Sequence, residues 1–283
     1  MIVKKVHFYW GGKKMPLLNA LSIVSFKKQN PDYKIFLYKP TINFDVATWN
    51  SHEQKVAYSG DDFSAHVGPF VDKVIFVDFE ELGFPNDIHN AQKADILRQW
   101  LLLKKGGWWS DMDVIWAKSI SSFNLEEEYD LGVCWRNGYH NSGIMFSRPD
   151  TNFYSIVFDN LKKHFTKNSY QSAGPSLLNR VFPGIEKIKS TEEGLRVFNF
   201  ELHNFAPLDS NHFPLLYQPG NENDVLTNDV YGVHWYNGGT QSGNFVNKFK
   251  QEHISNSEIL MYKIINRAIG HEMVYELVRG KGA

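Results

Sequence analysis

The chain of 283 residues is long enough for one large α/β domain or two small ones. Its formal net charge is −1, and its 30 Lys and Arg residues form no basic run, which excludes the electrostatic footprint of a nucleic-acid-binding protein. The single cysteine, Cys134, excludes an internal disulfide framework and fits a reducing compartment, so we expect a soluble, cytoplasmic protein.

The first predicted elements indicate a parallel α/β arrangement. Residues 2–10 are rich in β-branched and aromatic side chains and predict a strand that ends at Gly11 and Gly12. Apolar residues at helical spacing predict a helix within residues 17–30, and residues 33–38 predict a second strand. A strand, a glycine turn, a helix and a strand open a βαβ unit, in which the two strands are parallel.

The clearest helix is predicted at residues 91–105, where Ala94, Leu97 and Leu101 share one stripe before Gly106 ends it. Residues 183–229 have little periodicity, which is typical of functional loops. The remaining predicted elements are strands at 108–109, 114–116, 131–135, 143–147 and 230–235, and helices at 151–165, 175–181 and 257–279.

The chain shows no internal repeat or linker, so we expect one α/β domain over residues 1–250 and a C-terminal amphipathic helix within 251–283. That helix leaves peripheral membrane contact open, although no apolar run approaches the roughly 20 residues of a membrane span. Ligands of open α/β sheets bind beyond the carboxyl ends of the strands. This rule brings the turn after Trp10 and the sequence Asp111-Met112-Asp113 to one edge.

The aspartate pair gives the first indication of chemistry. Two carboxylates separated by one residue at a strand end can place one oxygen on a divalent cation and turn another toward sugar or ribose hydroxyls. Mg²⁺ and Mn²⁺ take oxygen ligands and keep open positions for substrate phosphates. The pair alone is weak evidence, because about one such match is expected by chance in a chain of this length. Its context therefore decides its meaning.

That context resembles the glycosyltransferases with a DXD sugar-binding motif. Residues 94–98 (ADILR) and 106–113 (GGWWSDMD) are similar to the A-S-D-x-L-R and G-G-x-Y-x-D-x-D signature of that family. Five further matches follow in family order, namely VHFYWGG at 6–12, NPDY at 30–33, NSGIMFSRP at 141–149, AGP at 173–175 and VHW at 233–235. The family includes capsule and lipooligosaccharide enzymes, α1,4-glycosyltransferases and the glucosyltransferase domains of clostridial toxins.

The resemblance implies a GT-A type fold, with a Rossmann-like, mostly parallel sheet flanked by helices and a helical C-terminal extension. It implies that Trp10 stacks on the nucleobase, with Gly11 beside it. Asp95, Arg98 and Asp111 would bind the donor as catalytic residues. Asn141 would be a further catalytic residue, facing the donor sugar. The resemblance also implies a metal ligand for Asp113, a metal or phosphate contact for His234, and donor-binding positions for Met112 and Trp235.

Each assignment has a structural alternative. Asp95 and Arg98 could form a surface helix pair, and His234 could be a core histidine. Asn141 could cap a turn rather than face the donor sugar. Trp108 and Trp109 are more typical of the core, His7 and His66 are structural or exposed, and Trp235 packs its loop. The sequence departs from the family pattern at Ala94 and Trp109-Ser110, which bears on sugar specificity, and the doubled His of many members is the single His234.

The expected activity is the transfer of a sugar from a nucleotide-sugar donor, a UDP-sugar in most of the family, to a glycan, lipid-linked glycan or other hydroxyl acceptor. The expected cofactor is Mn²⁺ or Mg²⁺, and the resemblance implies retention of configuration. The alternatives are a GDP-mannose-dependent mannosyltransferase, a non-catalytic nucleotide- or sugar-binding module, and a phosphatase. Phosphatases of the aspartate-pair type follow the pair with Gly-Thr or similar, whereas Val114-Ile115 follows it here.

Overall fold

The computed structural model of the protein describes residues 2–44, 56–123 and 125–280. Its strands are β1 Lys5–Tyr9, β2 Lys34–Pro40, β3 Lys73–Val77, β4 Gly107–Ser110, β5 Val114–Trp116, β6 Leu131–Arg136, β7 Tyr139–Ser147, β8 Val197–Asn199 and β9 Gly232–His234. Its helices are α1 Leu17–Gln29, α2 Asn90–Lys104, α3 Leu125–Glu128, α4 Asn152–His164, α5 Pro175–Val181, α6 Ile185–Lys189, α7 Thr240–Lys248, α8 Leu260–Ala268 and α9 His271–Val278.

Seven of the described strands form one sheet in the order β3-β2-β1-β4-β7-β6-β8. The pairs β1–β2, β2–β3, β1–β4 and β6–β8 are parallel, and β7 runs antiparallel to both β4 and β6. The predicted βαβ opening is confirmed by the parallel pairing of β1 with β2 around α1. The predicted mostly parallel, Rossmann-like α/β sheet flanked by helices is confirmed as well.

The two faces of the sheet carry separate hydrophobic cores. Trp108 lies on the face covered by α1 and α8, where its ring centroid is 4.7 Å from that of Phe146. Trp109 lies on the face covered by α2 and α4. Neighbouring side chains of a strand point to opposite faces, and both Trp side chains are fully buried. The assignment of this Trp pair to the core is confirmed, one ring in each core.

A second, two-stranded sheet lies beside the main one. The chain leaves the main sheet at the end of β4, and β5 pairs antiparallel with β9, so that Val114 is opposite His234 and Trp116 is opposite Gly232. This pairing joins residues far apart in the chain. It brings the late His-Trp sequence to the end of the aspartate pair.

Three sequence expectations need correction. The segment 183–229 is more regular than predicted, because it contains α6 and the edge strand β8, whose three residues are too few to show a periodicity. The strand β3 was missed, although its run Lys-Val-Ile-Phe-Val is rich in strand-forming residues. The single helix predicted at 257–279 is divided into α8 and α9, because Gly270 has a φ of +85°, which ends a helix.

Among the described residues, no helix combines the length and the apolar character needed to cross a membrane. The amphipathic character expected for the C-terminal helices serves the core, since Leu260, Ile264 and Ile265 of α8 are buried in the same cluster as Trp108. Val274 and Leu277 of α9 join that cluster.

Candidate active site

Helix α2 brings Asp95 and Arg98 to the sheet. The helix begins behind His89, whose ring nitrogen Nδ1 accepts a hydrogen bond from the backbone N–H of Ala91 at 3.1 Å. Asp95 and Arg98 are i and i+3 neighbours, and their exposed fractions are only 9% and 3%. The surface-pair alternative is therefore wrong, because both charges lie buried between α2 and the aspartate pair.

Arg98 links the helix to the aspartate pair. Its Nη2 lies 3.2 Å from Asp95 Oδ1 and 3.0 Å from Asp111 Oδ1, and its guanidinium carbon lies 5.0 Å from the centre of the Trp109 ring. Within the described structure, the buried Nε and Nη1 of Arg98 have no hydrogen-bond partner. Buried donors are rarely left unsatisfied, and a guanidinium binds phosphate or carboxylate through paired N–H groups. The unused donors fit an anionic or polyhydroxyl ligand.

Asp111 is held in place from three sides. Besides Arg98, the indole N–H of Trp109 donates to Asp111 Oδ1 at 2.7 Å, and the backbone N–H of Asp111 donates to the carbonyl of Gly143 at 2.8 Å. Burial raises the pKa of Asp111 and the neighbouring Asp113 carboxylate adds to the rise, while Arg98 opposes it. Burial thus disfavours the charged form of this carboxyl, and a bound cation would act in the opposite direction.

Asp113 and His234 meet through the β5–β9 pairing. His234 Nε2 lies 3.0 Å from Asp113 Oδ1, and the backbone N–H of Asn237 donates to Asp113 Oδ2 at 2.9 Å. Although burial acts in the opposite direction, His234 and the N–H of Asn237 hold the pKa of Asp113 below its ordinary value. The carboxylate thus stays ionised, as a metal ligand must.

The residues present fit a divalent cation. One ligand atom each from Asp111, Asp113 and His234 lies within 4.8 Å of the others. Two carboxylate oxygens and one imidazole nitrogen suit Mn²⁺, and the oxygens also suit Mg²⁺. A cation would replace the hydrogen bond that now joins His234 to Asp113.

The predicted nucleobase contact, Trp10, lies at the end of β1, half-buried against the α1-side core. Its backbone N–H donates to the carbonyl of Tyr38 at 2.9 Å. The next residue, Gly11, is tied to α2, since its carbonyl accepts from Asn90 Nδ2 at 2.7 Å and Asn90 Oδ1 accepts from the Tyr9 hydroxyl at 3.1 Å. The turn after β1 and the start of α2 are therefore held as one unit, and the stacking role of Trp10 stays a prediction.

The other predicted donor contacts lie at different depths. The side chain of Met112 is buried, and its carbonyl accepts from Asn19 Nδ2 and Ser22 Oγ, each at 2.9 Å. The Trp235 ring is fully buried, so it lies in the core rather than on the surface of the site. Asn141 is half-buried beside Gly143, whose N–H donates to Asn141 Oδ1 at 3.0 Å. Of these three, Asn141 has the side chain best placed to contact a ligand.

Two glycines that were not singled out for a role shape the site. A Cβ on Gly174, just before α5, would lie 2.3 Å from Asp95 Oδ2, so this residue must lack a side chain for α5 to approach α2. A Cβ on Gly143 would lie 3.3 Å from Asp111 Oδ2 and 3.4 Å from Asn141 Oδ1. Both belong to matched motifs, which is the only sequence signal that could have found them.

Two family models match the chain. The glycosyltransferase sugar-binding region containing the DXD motif matches residues 18–130, and the alpha 1,4-glycosyltransferase conserved region matches residues 147–256. The first range contains Asp95, Arg98 and the aspartate pair, and the second contains His234. The two matched regions therefore meet at the candidate metal group. None of the curated protein sequences compared with the chain matches it.

Several solved structures are similar to the chain over nearly its whole length. The PaToxG glycosyltransferase is 17% identical, with 98% of this chain and 87% of that chain covered and a TM-score of 0.46. The galactosyltransferase LgtC in complex with donor and acceptor sugar analogues is 14% identical, with coverage of 99% and 96% and a TM-score of 0.40. The glycosyltransferase GlyE of Streptococcus pneumoniae TIGR4 is 12% identical, with coverage of 98% and 64% and a TM-score of 0.47. At identities of 17%, 14% and 12%, these similarities give no information on the substrate of this chain.

Proposed function

We propose that this chain, which carries the sugar-binding region of the DXD-containing glycosyltransferases and the alpha 1,4-glycosyltransferase conserved region, is a metal-dependent, retaining transferase. It moves a sugar from a UDP-sugar to a hydroxyl of a glycan or lipid-linked glycan. The observation that carries the proposal is the convergence of Asp111, Asp113 and His234 within 4.8 Å, beside the unused buried donors of Arg98. This combination suits a metal-bound diphosphate.

The residues have separate tasks in the proposed reaction. Asp113 and His234 hold Mn²⁺ or Mg²⁺, which when bound neutralises charge on the departing diphosphate. The paired N–H groups of Arg98 face the donor, and Asp95 and Asp111 accept hydrogen bonds from its sugar hydroxyls. Trp10 stacks on the base. Arg98 and a cation held by Asp113 and His234 would therefore both offset negative charge on the donor diphosphate.

Retention of configuration is proposed to follow a front-face route. A double displacement needs a carboxylate nucleophile beside the anomeric carbon, and both carboxylates nearest to Arg98 are already engaged with it. In the front-face route, the departing phosphate oxygen takes the acceptor's proton. Mass spectrometry of the protein with a slow donor checks this point, since a trapped glycosyl-enzyme adduct contradicts the route.

The test of the function is metal-dependent cleavage of a donor. UDP-glucose, UDP-galactose, UDP-N-acetylglucosamine and GDP-mannose are each incubated with the protein and Mn²⁺, and nucleoside diphosphate is measured. We expect one uridine donor to be cleaved, with a loss of at least ~100-fold in Asp113→Ala. Asp87→Asn, an exposed carboxylate paired with Lys167, is the matched control and keeps full activity.

The outcomes separate the alternatives. Cleavage of GDP-mannose alone identifies the mannosyltransferase. If a donor raises the melting temperature of the protein but no turnover occurs with or without added glycans, the binding-module alternative holds. The division of the chain near residue 250 and its cytoplasmic location belong to the proposal and are tested separately, by limited proteolysis and by cell fractionation.

A further inference from the structure

Tyr236, two residues after the candidate metal ligand His234, has a backbone conformation that L-residues rarely adopt. Its φ is +53°, in the left-handed region, where a bulky side chain is strained. Two other non-glycine residues of the described chain have a positive φ, Asn137 and Asp150, and both are exposed and of types that tolerate this region. Tyr236 is half-buried instead. Strain of this kind persists only where the surrounding structure holds it.

Trp235, the residue before Tyr236, is fixed through both of its backbone polar groups. Its N–H donates to the main-chain carbonyl of Asp113 at 2.9 Å. Its carbonyl accepts from the Tyr217 hydroxyl at 2.7 Å and from Ser242 Oγ at 3.0 Å. That carbonyl belongs to the peptide plane that precedes the Cα of Tyr236, so this plane cannot turn without breaking two hydrogen bonds.

The peptide plane that follows Tyr236 is fixed as well. The N–H of Asn237 donates to Asp113 Oδ2 at 2.9 Å, and the carbonyl of Tyr236 accepts from the N–H of Gly239 at 2.9 Å. Because φ and ψ describe the rotation of two planar peptide groups about one Cα, fixing both planes fixes the conformation of Tyr236. The left-handed conformation is therefore the one that lets the N–H of Asn237 reach the carboxylate of Asp113.

The ring of Tyr236 contacts the other candidate ligand. Its centroid lies 4.3 Å from that of the His234 imidazole, with 56° between the two planes, and 5.1 Å from that of Phe213. His234 Nε2 meanwhile lies 3.0 Å from Asp113 Oδ1. The packed ring limits the rotation of the imidazole while Nε2 faces the carboxylate. One residue thus acts on both ligands, on Asp113 through the backbone and on His234 through the ring.

We propose that Tyr236 is a positioning residue of the metal site, which arranges Asp113 and His234 for a divalent cation before the cation binds. The left-handed backbone directs the Asn237 N–H to Asp113, and the ring orients the imidazole. Groups that orient metal ligands contribute to affinity, and their removal typically costs about 10–100-fold in metal binding. This inference rests on the proposed function, because the cation belongs to that reaction.

The test separates the ring from the backbone at one position. Tyr236→Phe keeps the ring, Tyr236→Gly accepts the left-handed conformation without the ring, and Tyr236→Ala lacks the ring and is strained there. Tyr236→Asn, which also tolerates this conformation, repeats the test if glycine loosens the turn. Asp150→Gly is the matched control, because it relieves a φ of +56° in an exposed turn. Binding is measured by titration with Mn²⁺, with and without UDP, through the electron paramagnetic resonance signal of free Mn²⁺.

We expect Tyr236→Gly to bind Mn²⁺ about tenfold more weakly than the unaltered protein. Tyr236→Phe and Asp150→Gly are expected to bind it as the unaltered protein does. In urea, Tyr236→Gly should unfold at a higher concentration than Tyr236→Ala, since glycine adopts a positive φ without a steric penalty. Excess Mn²⁺ should restore donor cleavage in Tyr236→Gly but not in Asp113→Ala, because the first variant loses an orienting contact and the second loses a ligand.

Three results overturn the inference while the proposed function stands. If Tyr236→Gly binds Mn²⁺ as tightly as the unaltered protein, the ring does not orient His234. If Tyr236→Ala is as stable as Tyr236→Gly, the backbone is not held in the left-handed region. If excess Mn²⁺ does not restore cleavage in Tyr236→Gly, the residue acts on the chemical step rather than on the metal ligands. Failure of the proposed function appears instead in the unaltered protein, as the absence of both Mn²⁺ binding and donor cleavage, and it overturns this inference as well.

Discussion

The two sides of the sheet at the aspartate pair differ in the chemistry of their side chains. On the α2 side, Asp95, Arg98 and Asp111 form a buried cluster of charges in which a cation is shared between carboxylates. On the opposite side, Cys134 and Phe200 are buried in an apolar core. The charged side suits the binding of a diphosphate, whereas the apolar side stabilises the fold.

The strands β4 and β7 keep the two sides apart. Trp109 and its partner Met145 face α2, whereas Ile144, opposite Ser110, faces the core on the α1 side. Because successive residues of a strand point to opposite faces, one short stretch contributes to both sides without mixing them. Substitutions on one side are therefore expected to change one property and spare the other.

The largest expected effect comes from Arg98. In Arg98→Met, the carboxylates of Asp95 and Asp111 lose their shared cation inside the protein, which costs about 3–5 kcal/mol of unfolding free energy. Donor cleavage is expected to fall at least ~100-fold. Arg98→Lys keeps the charge without the planar fork, so it should recover much of the stability and little of the activity. Urea unfolding and nucleoside diphosphate release measure the two quantities; equal stability of Met and Lys variants would contradict the shared-cation role.

The charged side was also the more predictable one from the sequence. Asp95, Arg98, Asp111 and Asp113 stand in dense motifs, and the helix that carries the first two has a clear apolar stripe and a glycine stop. Their burial was not predictable, since an i, i+3 pair looks the same on a surface and beneath a sheet. The burial of Asp95 and Arg98 results from the packing of α4 and α5 over α2.

The residues on the apolar side of Gly143 could not be predicted. They come from β5, β6, β7, β9 and the segment after β8, and no local pattern connects them. The strand β8 is three residues long, and β9 pairs with β5 across more than 100 residues. Long-range pairing of short strands leaves no period in the sequence. The VHW motif marks His234, whereas no motif marks Cys134.

The next effect concerns a buried base on the α2 side of β1. Burial lowers the pKa of His7 to about 4, from an ordinary value near 6.5. Below pH 6.5 the unfolded chain binds a proton at this residue while the folded chain does not, so stability falls as the pH drops toward 4, by about 3 kcal/mol in total. His7 bonds through its ring nitrogens to the Gly106 carbonyl and the Tyr38 hydroxyl, two partners that Gln also satisfies.

His7→Gln is therefore expected to remove most of the pH dependence between pH 6.5 and 4. Urea unfolding midpoints at pH 7.5 and pH 4.5 measure it, with the exposed His164→Gln as the matched control. A parallel loss of stability in the His7 variant and the unaltered protein would show that other groups carry the effect. Burial keeps His7 neutral, whereas Arg98 is charged and paired with two carboxylates. The Arg98 and His7 variants therefore compare a buried charge that stabilises its neighbours with a buried group whose charged form is disfavoured.

A smaller effect is expected from Gly174, which determines how closely α5 approaches the charged cluster. In Gly174→Ala, the new Cβ would fall 2.3 Å from Asp95 Oδ2, so the carboxylate or the helix must move. Overpacking of this kind costs about 1–3 kcal/mol, and the displaced Asp95 should raise the KM for the donor. Gly184→Ala is the matched control, because nothing lies within 4 Å of its Cβ. If both substitutions have the same effect on stability and KM, the approach of Gly174 to Asp95 is not a constraint.

The smallest expected effect lies at the boundary between the two sides. In Gly143→Ala, the Cβ would stand 3.3 Å from Asp111 Oδ2 and 3.4 Å from Asn141 Oδ1, distances that small movements of those side chains can absorb. Unfolding free energy should therefore change by less than about 1 kcal/mol. The backbone bonds of Gly143, from its carbonyl to the Asp111 N–H and from its N–H to Asn141, are compatible with alanine.

The functional consequence of Gly143→Ala should nevertheless be one-sided. The added methyl group presses on Asp111 Oδ2 and Asn141 Oδ1, which belong to two of the proposed catalytic residues. Transfer is therefore expected to fall severalfold, while donor binding, measured by calorimetry with Mn²⁺ and the uncleaved nucleotide sugar, stays within about twofold. Gly174→Ala should show the reverse pattern, with weaker donor binding. If Gly143→Ala weakens donor binding as strongly as Gly174→Ala does, the difference between the Cβ contacts of 3.3 Å and 2.3 Å does not decide the outcome.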